Sequence, residues 1–303
     1  MMSRGVMVMS RSNGKKKIWP LVVLFIAGFV IMMYPIISNY YYRIEANNQI
    51  LDFTENAKKL DNNEILRRIE LAEAYNSVLD PSRLADPYTE KEKEGIAEYA
   101  RMLEVKEKMG FVEIPKIDTN LPIYAGTSNE VLNKGVGHLE GTSLPIGGKS
   151  THTVLTAHRG LPSARLFRDL DKLEKGDIFY VHNIQTVLAY EVDQILTVDP
   201  SNFDPVLVVD GEDYATLLTC TPYMINSHRL LVRGHRVPYV APVKEDSRAL
   251  ISLGLEYRDM LAFTIPFSVV LFVLMLYSRS DYRKARKSYR LFMDSFDEEK
   301  SDE

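Results

Sequence analysis

Cysteine is almost missing from this chain: Cys220 is the only one in 303 residues. That excludes an intrachain disulfide framework, and with it any zinc or iron–sulfur site built on several thiolates. An excess of positive charge is missing too. The 37 Lys and Arg face 41 Asp and Glu, a formal net charge of −4, so the basic face expected of a nucleic-acid binder is absent from the average. No glycine-rich phosphate loop leads from a strand into a helix, since Gly135-Val-Gly137-His138 is too short a match. The His, Asp and Glu residues do not recur at metal-ligand spacing, and no cofactor is expected. Low complexity is confined to the acidic tail at 294–303. With 46% hydrophobic and 26% charged residues, wholesale disorder is excluded as well.

What is present begins with an uneven distribution of charge. Residues 1–17 carry five basic residues and no acid, and 278–292 carry six bases against Asp281 alone. Each basic stretch borders an apolar run, and the chain between the runs is acidic. From Ile18 to Tyr42 there is no charge, and Met260–Tyr277 is an uncharged run of 18 residues. Each run is close to the ~20 residues that cross ~30 Å of hydrocarbon at 1.5 Å per residue. Trp19, Tyr34 and the Tyr40–Tyr42 cluster fit the interfacial ends of such a span. A cleaved signal peptide is disfavoured, because Ser38-Asn-Tyr-Tyr-Tyr-Arg43 offers no small-x-small cleavage site. Positive flanks on the outer ends of both runs place both termini in the cytoplasm, with about 39–258 outside the cell membrane.

The outer region changes character midway. Ile50, Phe53, Ala57, Leu60, Ile65, Ile69, Ala72 and Leu79 recur at helical spacing. Asp80-Pro81-Ser82 ends that pattern, and Thr89 with Glu92 signals a second helix running to about Glu104. From Gly110 onward, short apolar or alternating runs lie between Gly, Pro and Asn. Strands are expected at 111–114, 121–124, 151–157, 177–181, 187–197, 215–220 and 229–237. Ser163–Lys172 is the one clear helix expected in this half. Many short strands with little helix point to a mainly β fold, a barrel or sandwich.

Cys220 ends one apolar strand and is followed by Thr221-Pro222, a strand-to-loop edge of the kind where reactive groups are displayed. By default a lone Cys is a small buried hydrophobe. To act as a nucleophile at neutral pH, a thiol of ordinary pKa ~8.5 needs a base or cation beside it. Of the six His, His158 is the best placed, because Thr153-Val-Leu-Thr-Ala157 is a second apolar strand ending at it. Arg229 opens the strand after the Cys220 loop and could hold a developing oxyanion. On spacing alone, a surface or hydrogen-bonding His and an exposed strand Arg in an ion pair account for both better than catalytic roles do.

Three segments together carry more information: Thr153-Val-Leu-Thr-Ala-His158-Arg-Gly, Leu217-Leu-Thr-Cys220-Thr-Pro-Tyr and Asn226-Ser-His-Arg229-Leu-Leu-Val-Arg-Gly. They resemble the catalytic segments of sortases, the membrane-bound cysteine transpeptidases of Gram-positive bacteria. Two apolar runs and Asp86-Pro87-Tyr88 upstream resemble class C sortases, the pilin polymerases, in which an Asp-Pro-aromatic lid covers the site. The resemblance implies a closed eight-stranded sortase-type β-barrel with N-terminal helices, flanked by two transmembrane helices. It implies Cys220 as nucleophile, His158 as acid/base, Arg229 as oxyanion stabiliser, and Asp86, Pro87 and Tyr88 as lid.

The substrate would be a pilin with an LPXTG-like sorting signal, cut between Thr and Gly and joined to a Lys amine of the next pilin. The expected organisation is a cytoplasmic tail at 1–17, a transmembrane helix at 18–38 and a helical region at 39–108 with the lid at 80–88. The barrel follows at 109–240, then a linker at 241–259, a transmembrane helix at 260–277 and a cytoplasmic tail at 278–303. The alternatives are a housekeeping sortase that anchors proteins to the wall and a membrane-tethered adhesion or signalling module with an inert Cys220.

Overall fold

A computed structural model describes residues 14–79 and 102–241, together with scattered helical positions between 265 and 291. Residues up to 242 form one unit and those from 243 a second. In the second unit the described positions within the 260–277 run (265, 268–270 and 275) are helical. The rest of that run, the lid segment and residues 89–101 of the second expected helix lie outside the described residues, and its expected end at 102–104 is turn and coil.

The first apolar run and the helical periodicity after it merge into one continuous helix, α1 (Gly14–Ala57). Its stretch from Val23 is long and apolar enough to cross a membrane, with a mean hydropathy of 1.8 and none of that window buried. A short break follows, and α2 (Asn62–Ser77) starts where the Asp61 carboxylate accepts from the Asn63 amide at 3.2 Å. This side-chain cap satisfies an amide left over at the helix start.

Eight strands close a barrel: β1 (Lys108–Ile114), β2 (Thr119–Ala125), β3 (Val136–His138), β4 (Thr151–Thr156), β5 (Ile178–His182), β6 (Val187–Val198), β7 (Asp213–Thr221) and β8 (His228–Val237). Their order around the barrel is β1-β2-β3-β4-β7-β8-β6-β5, and β5 pairs back onto β1. Only β2–β3 and β4–β7 are parallel. A short helix, α3 (Asn129–Lys134), links β2 to β3, with the Ser128 hydroxyl as its cap. Two glycines permit close approach between strands. A Cβ on Gly110 would stand 1.9 Å from the His182 carbonyl oxygen, and one on Gly234 would stand 2.8 Å from the Phe179 ring.

The strands sort their side chains between two apolar clusters by the two-residue alternation of a pleated strand. Leu155, Ala157, Ala215, Leu217, Leu230 and Val232 belong to the main core. Their neighbours Val154, Leu218 and Leu231 turn to the other face, where Leu139 and Val206 join them in a second cluster.

Two expectations need correction. Ser163–Lys172 is not an α-helix: it is a chain of turns ending in a single 3-10 turn at Leu170–Lys172. Leu166 has φ +42°, outside the right-handed helical region, and the Phe167 amide donates to the His158 carbonyl at 3.1 Å. The irregular path buries Ala164, Leu166, Phe167, Leu170 and Leu173 together in the main core. Burying a Leu or Phe is worth roughly 1.5–3 kcal/mol, against helix propensities that differ by under ~1 kcal/mol per residue, so burial decides the conformation. Strand β3 is the other difference: the Gly135–His138 stretch dismissed as a weak phosphate motif is a barrel strand.

Candidate active site

Three adjacent strands meet at one rim of the barrel: the end of β4, the end of β7 and the start of β8. Cys220 stands directly opposite Arg229 in the antiparallel β7–β8 ladder. Opposed residues share a face, so thiol and guanidinium lie on the same side. On the other flank of β7, Thr156 is level with Leu218, and the Ala157 amide continues the pairing by donating to the Leu218 carbonyl at 3.2 Å. The Thr219 hydroxyl donates to the Ala157 carbonyl at 2.7 Å. His158 follows two residues after that matched pair, so the β4–β7 register carried past the strand end sets it at the level of Cys220. His158, Cys220 and Arg229 thus lie at the neighbouring ends of β4, β7 and β8.

Cys220 and Arg229 are buried, at 6% and 4% exposure. Nη1 of Arg229 donates to the carbonyls of Asn226 at 3.0 Å and His228 at 3.1 Å, which fixes the guanidinium plane. Asp199, which follows β6, is close enough for Arg229 and His228 to help lower its carboxyl pKa, chiefly set by hydrogen bonds from Ser201. Burial pushes the His158 imidazole below the ordinary His range, which favours its neutral form.

The other five histidines lie elsewhere, His235 opposite Tyr214 at the far end of the β7–β8 ladder. His138 and His152 are pushed down to about 4 by burial. The first hydrogen-bonds the Ser143 carbonyl, and the second bridges the Leu207 carbonyl and the Thr216 hydroxyl. His182 contacts Glu113 at 3.2 Å. His228 is opposite Thr221 and therefore turns to the face away from Cys220. Among the described residues, no group of three or more His, Cys, Asp or Glu is gathered as metal ligands would be.

Sequence reading passed over Arg159, which the structure makes prominent. Its side chain is buried. It donates to the Thr221 hydroxyl at 2.9 Å and the Arg168 carbonyl at 3.2 Å, and pairs with Asp171 at 2.6 Å. One guanidinium therefore ties the residue after His158 to the residue after Cys220. Its position beside His158 was the only hint in the sequence, because its partners lie 9 to 62 residues away. Asp86, Pro87 and Tyr88 lie outside the described residues.

A single thiol opposite a guanidinium, with a histidine at the neighbouring strand end, at the rim of a closed eight-stranded barrel, is an arrangement suited to cysteine nucleophile chemistry. The sortase domain family matches residues 112–237. A pilus-related sortase C of Group B Streptococcus is 64% identical, covering 62% of this chain and 97% of its own, with a TM-score of 0.61. Sortase C-1 of Streptococcus pneumoniae is 61% identical over 64% of this chain and all of its own, with a TM-score of 0.62. Sortase A of Bacillus anthracis is more distant, at 24% identity over 74% of this chain and 96% of its own length. The chain belongs to the sortase family, and its solved relatives bear out the class C resemblance.

Proposed function

We propose that this sortase polymerises pilin subunits, with Cys220, His158 and Arg229 as its catalytic trio. The observation that carries this reading is the high identity to a pilus-related sortase C over nearly that protein's whole length. In the reaction, the Cys220 sulfur attacks the Thr carbonyl of an LPXTG-like signal and His158 takes the thiol proton. The C–N bond to Gly breaks, and His158 returns a proton to the departing amine. A Lys amine of the next pilin then displaces the thiolate from the thioester, forming an isopeptide bond and regenerating the thiol. Arg229 faces the negative charge that collects on the carbonyl oxygen in both steps. Asp86, Pro87 and Tyr88 serve as the lid, with Asp86 pairing with Arg229 and the Tyr88 ring covering the sulfur.

The test is product analysis with full-length enzyme, a pilin carrying the sorting signal and a second pilin domain bearing the acceptor Lys. Covalent multimers with a Thr–Lys isopeptide and loss of the Gly-led tail are expected. Products formed only with a cell-wall peptide amine would instead assign the enzyme to wall anchoring.

The same reading places the protein in the cell membrane as a two-pass chain: helices at 18–38 and 260–277, both termini cytoplasmic and the barrel outside. Support comes from α1, long and apolar enough to span, and from the basic flanks at both ends. Protease added to intact protoplasts should remove the barrel and spare tags on both termini. Loss of either tag would break the two-pass arrangement.

A further inference from the structure

The register of the barrel fixes which rim faces the membrane-length part of α1. Strand β4 runs toward the His158 rim, and β3 is antiparallel to it, so Val136 lies near that rim. Strand β2 is parallel to β3 and antiparallel to β1, which puts the β1–β2 turn at Asp118 on the same rim and Lys108 at the opposite one. Four contacts then trace α1 down the barrel. The Ser38 hydroxyl donates to the Ser163 carbonyl at 3.0 Å, and the Tyr42 hydroxyl to the Lys134 carbonyl at 2.6 Å. Arg43 pairs with Asp118 at 3.0 Å, and Lys108 with Asp52 at 2.7 Å. From Ser38 to Asp52 the helix descends about 21 Å at 1.5 Å per residue, beginning at the active-site rim. The uncharged stretch that precedes Ser38 therefore leaves the barrel at that rim.

On the same rim, the β7–β8 turn displays three consecutive large apolar side chains: Tyr223, Met224 and Ile225, exposed by 45%, 66% and 71%. The turn is tightly built. The amides of Ile225 and Asn226 both donate to the Pro222 carbonyl, at 3.1 and 2.9 Å, and Met224 and Asn226 hold positive φ. It is also tied to the segment that meets α1. The Met224 sulfur lies 3.4 Å from where a Cβ on Gly160 would stand, and the Arg168 guanidinium is 5.9 Å from the Tyr223 ring centre. Residues 158–168 thus touch the helix exit at Ser163 and the turn at Gly160 and Arg168.

We propose that Tyr223-Met224-Ile225 is a lipid-contact tip that rests in the headgroup and upper acyl region of the bilayer holding α1, so that the active-site rim works at the membrane surface. Tyr is the residue type suited to that interface, and Met and Ile to the apolar zone below it. Continuity with the spanning helix selects lipid over a protein partner. The proposal rests on the reading of α1 as a membrane anchor.

The experiment uses the full chain in vesicles of phosphatidylcholine and phosphatidylglycerol with acyl chains brominated near the glycerol end. Trp19 is the sole native indole and reports whether α1 is inserted. In a Trp19→Phe background, Ile225→Trp samples the tip. Val209→Trp samples a comparably exposed apolar position (Val209, 46%) in the turn that leads to Glu212 at the opposite rim. Cys220 alkylation at the parent rate confirms that each variant is folded. The expected result is bromolipid quenching of the Ile225→Trp indole several-fold stronger than that of Val209→Trp, with a blue-shifted emission. Equal, weak quenching of both beside a strongly quenched Trp19 would overturn the tip and leave the anchor standing. An unquenched Trp19 would overturn the anchor, and the tip with it.

Discussion

Cys220→Ala should abolish both thioester formation and pilin joining. No second thiol exists to substitute, and neither His158 nor Arg229 can form the acyl intermediate that splits the reaction into two steps. In nucleophile-deleted hydrolases, oxyanion stabilisation and binding alone leave ~10³–10⁴-fold over water. That residual would favour water over the Lys amine, because the intermediate that waits for the amine would be gone. Mass spectrometry should therefore find no acyl-enzyme adduct and no isopeptide product. The fold should persist: one buried sulfur is lost at the rim, whereas Leu217, Leu230 and Val232 hold the core behind it. A Cys220→Ala protein that still joined pilins would dismiss the thiol mechanism outright.

How much of this was legible in the sequence depends on the distance over which each feature is decided. The strands around Cys220 and His158 were legible because alternation and β-branched residues are local properties of five to ten positions. The candidate trio came from the three segments that resemble sortases, since strand termini alone did not single out His158 or Arg229, and the placement of its members at one rim is a consequence of register. That His158 is level with Cys220 depends on β4 and β7 pairing in parallel, and no spacing between 158 and 220 reveals this. Strand β3 escaped notice because three residues, one a glycine, give alternation nothing to act on. The Ser163–Lys172 helix was misread because its apolar spacing suits a helix, whereas the barrel offers burial to every side of the segment. Arg159 shows the same limit for polar groups. A buried guanidinium needs acceptors, and its acceptors come from β7 and from a stretch of turns. The continuity of α1 from its apolar run into its amphipathic part was also hidden, since the change from an all-apolar to a one-sided pattern alters the periodicity without breaking the helix.

The second large effect is expected at the two groups that flank the thiol. Arg229→Ala should lower turnover by ~10²–10³-fold, the cost of removing one preorganised oxyanion donor. Arg229→Lys should recover little. In the native arrangement Nη1 is held by the carbonyls of Asn226 and His228, and the planar fork presents further N–H groups in a fixed geometry. A single ammonium must either keep those carbonyls or reach the substrate. His158→Ala should cost ~10²–10⁴-fold, the usual worth of general acid–base help, and its signature lies in the pH profile. The reading needs neutral imidazole to take the thiol proton, so alkylation of Cys220 should fall as pH drops through the His158 pKa. Burial lowers that pKa, so the acid limb should lie below the ~6.5 of an ordinary histidine. In His158→Ala the alkylation rate should be lower throughout and that limb should vanish. A limb that survives unchanged in His158→Ala would take the base role away from His158.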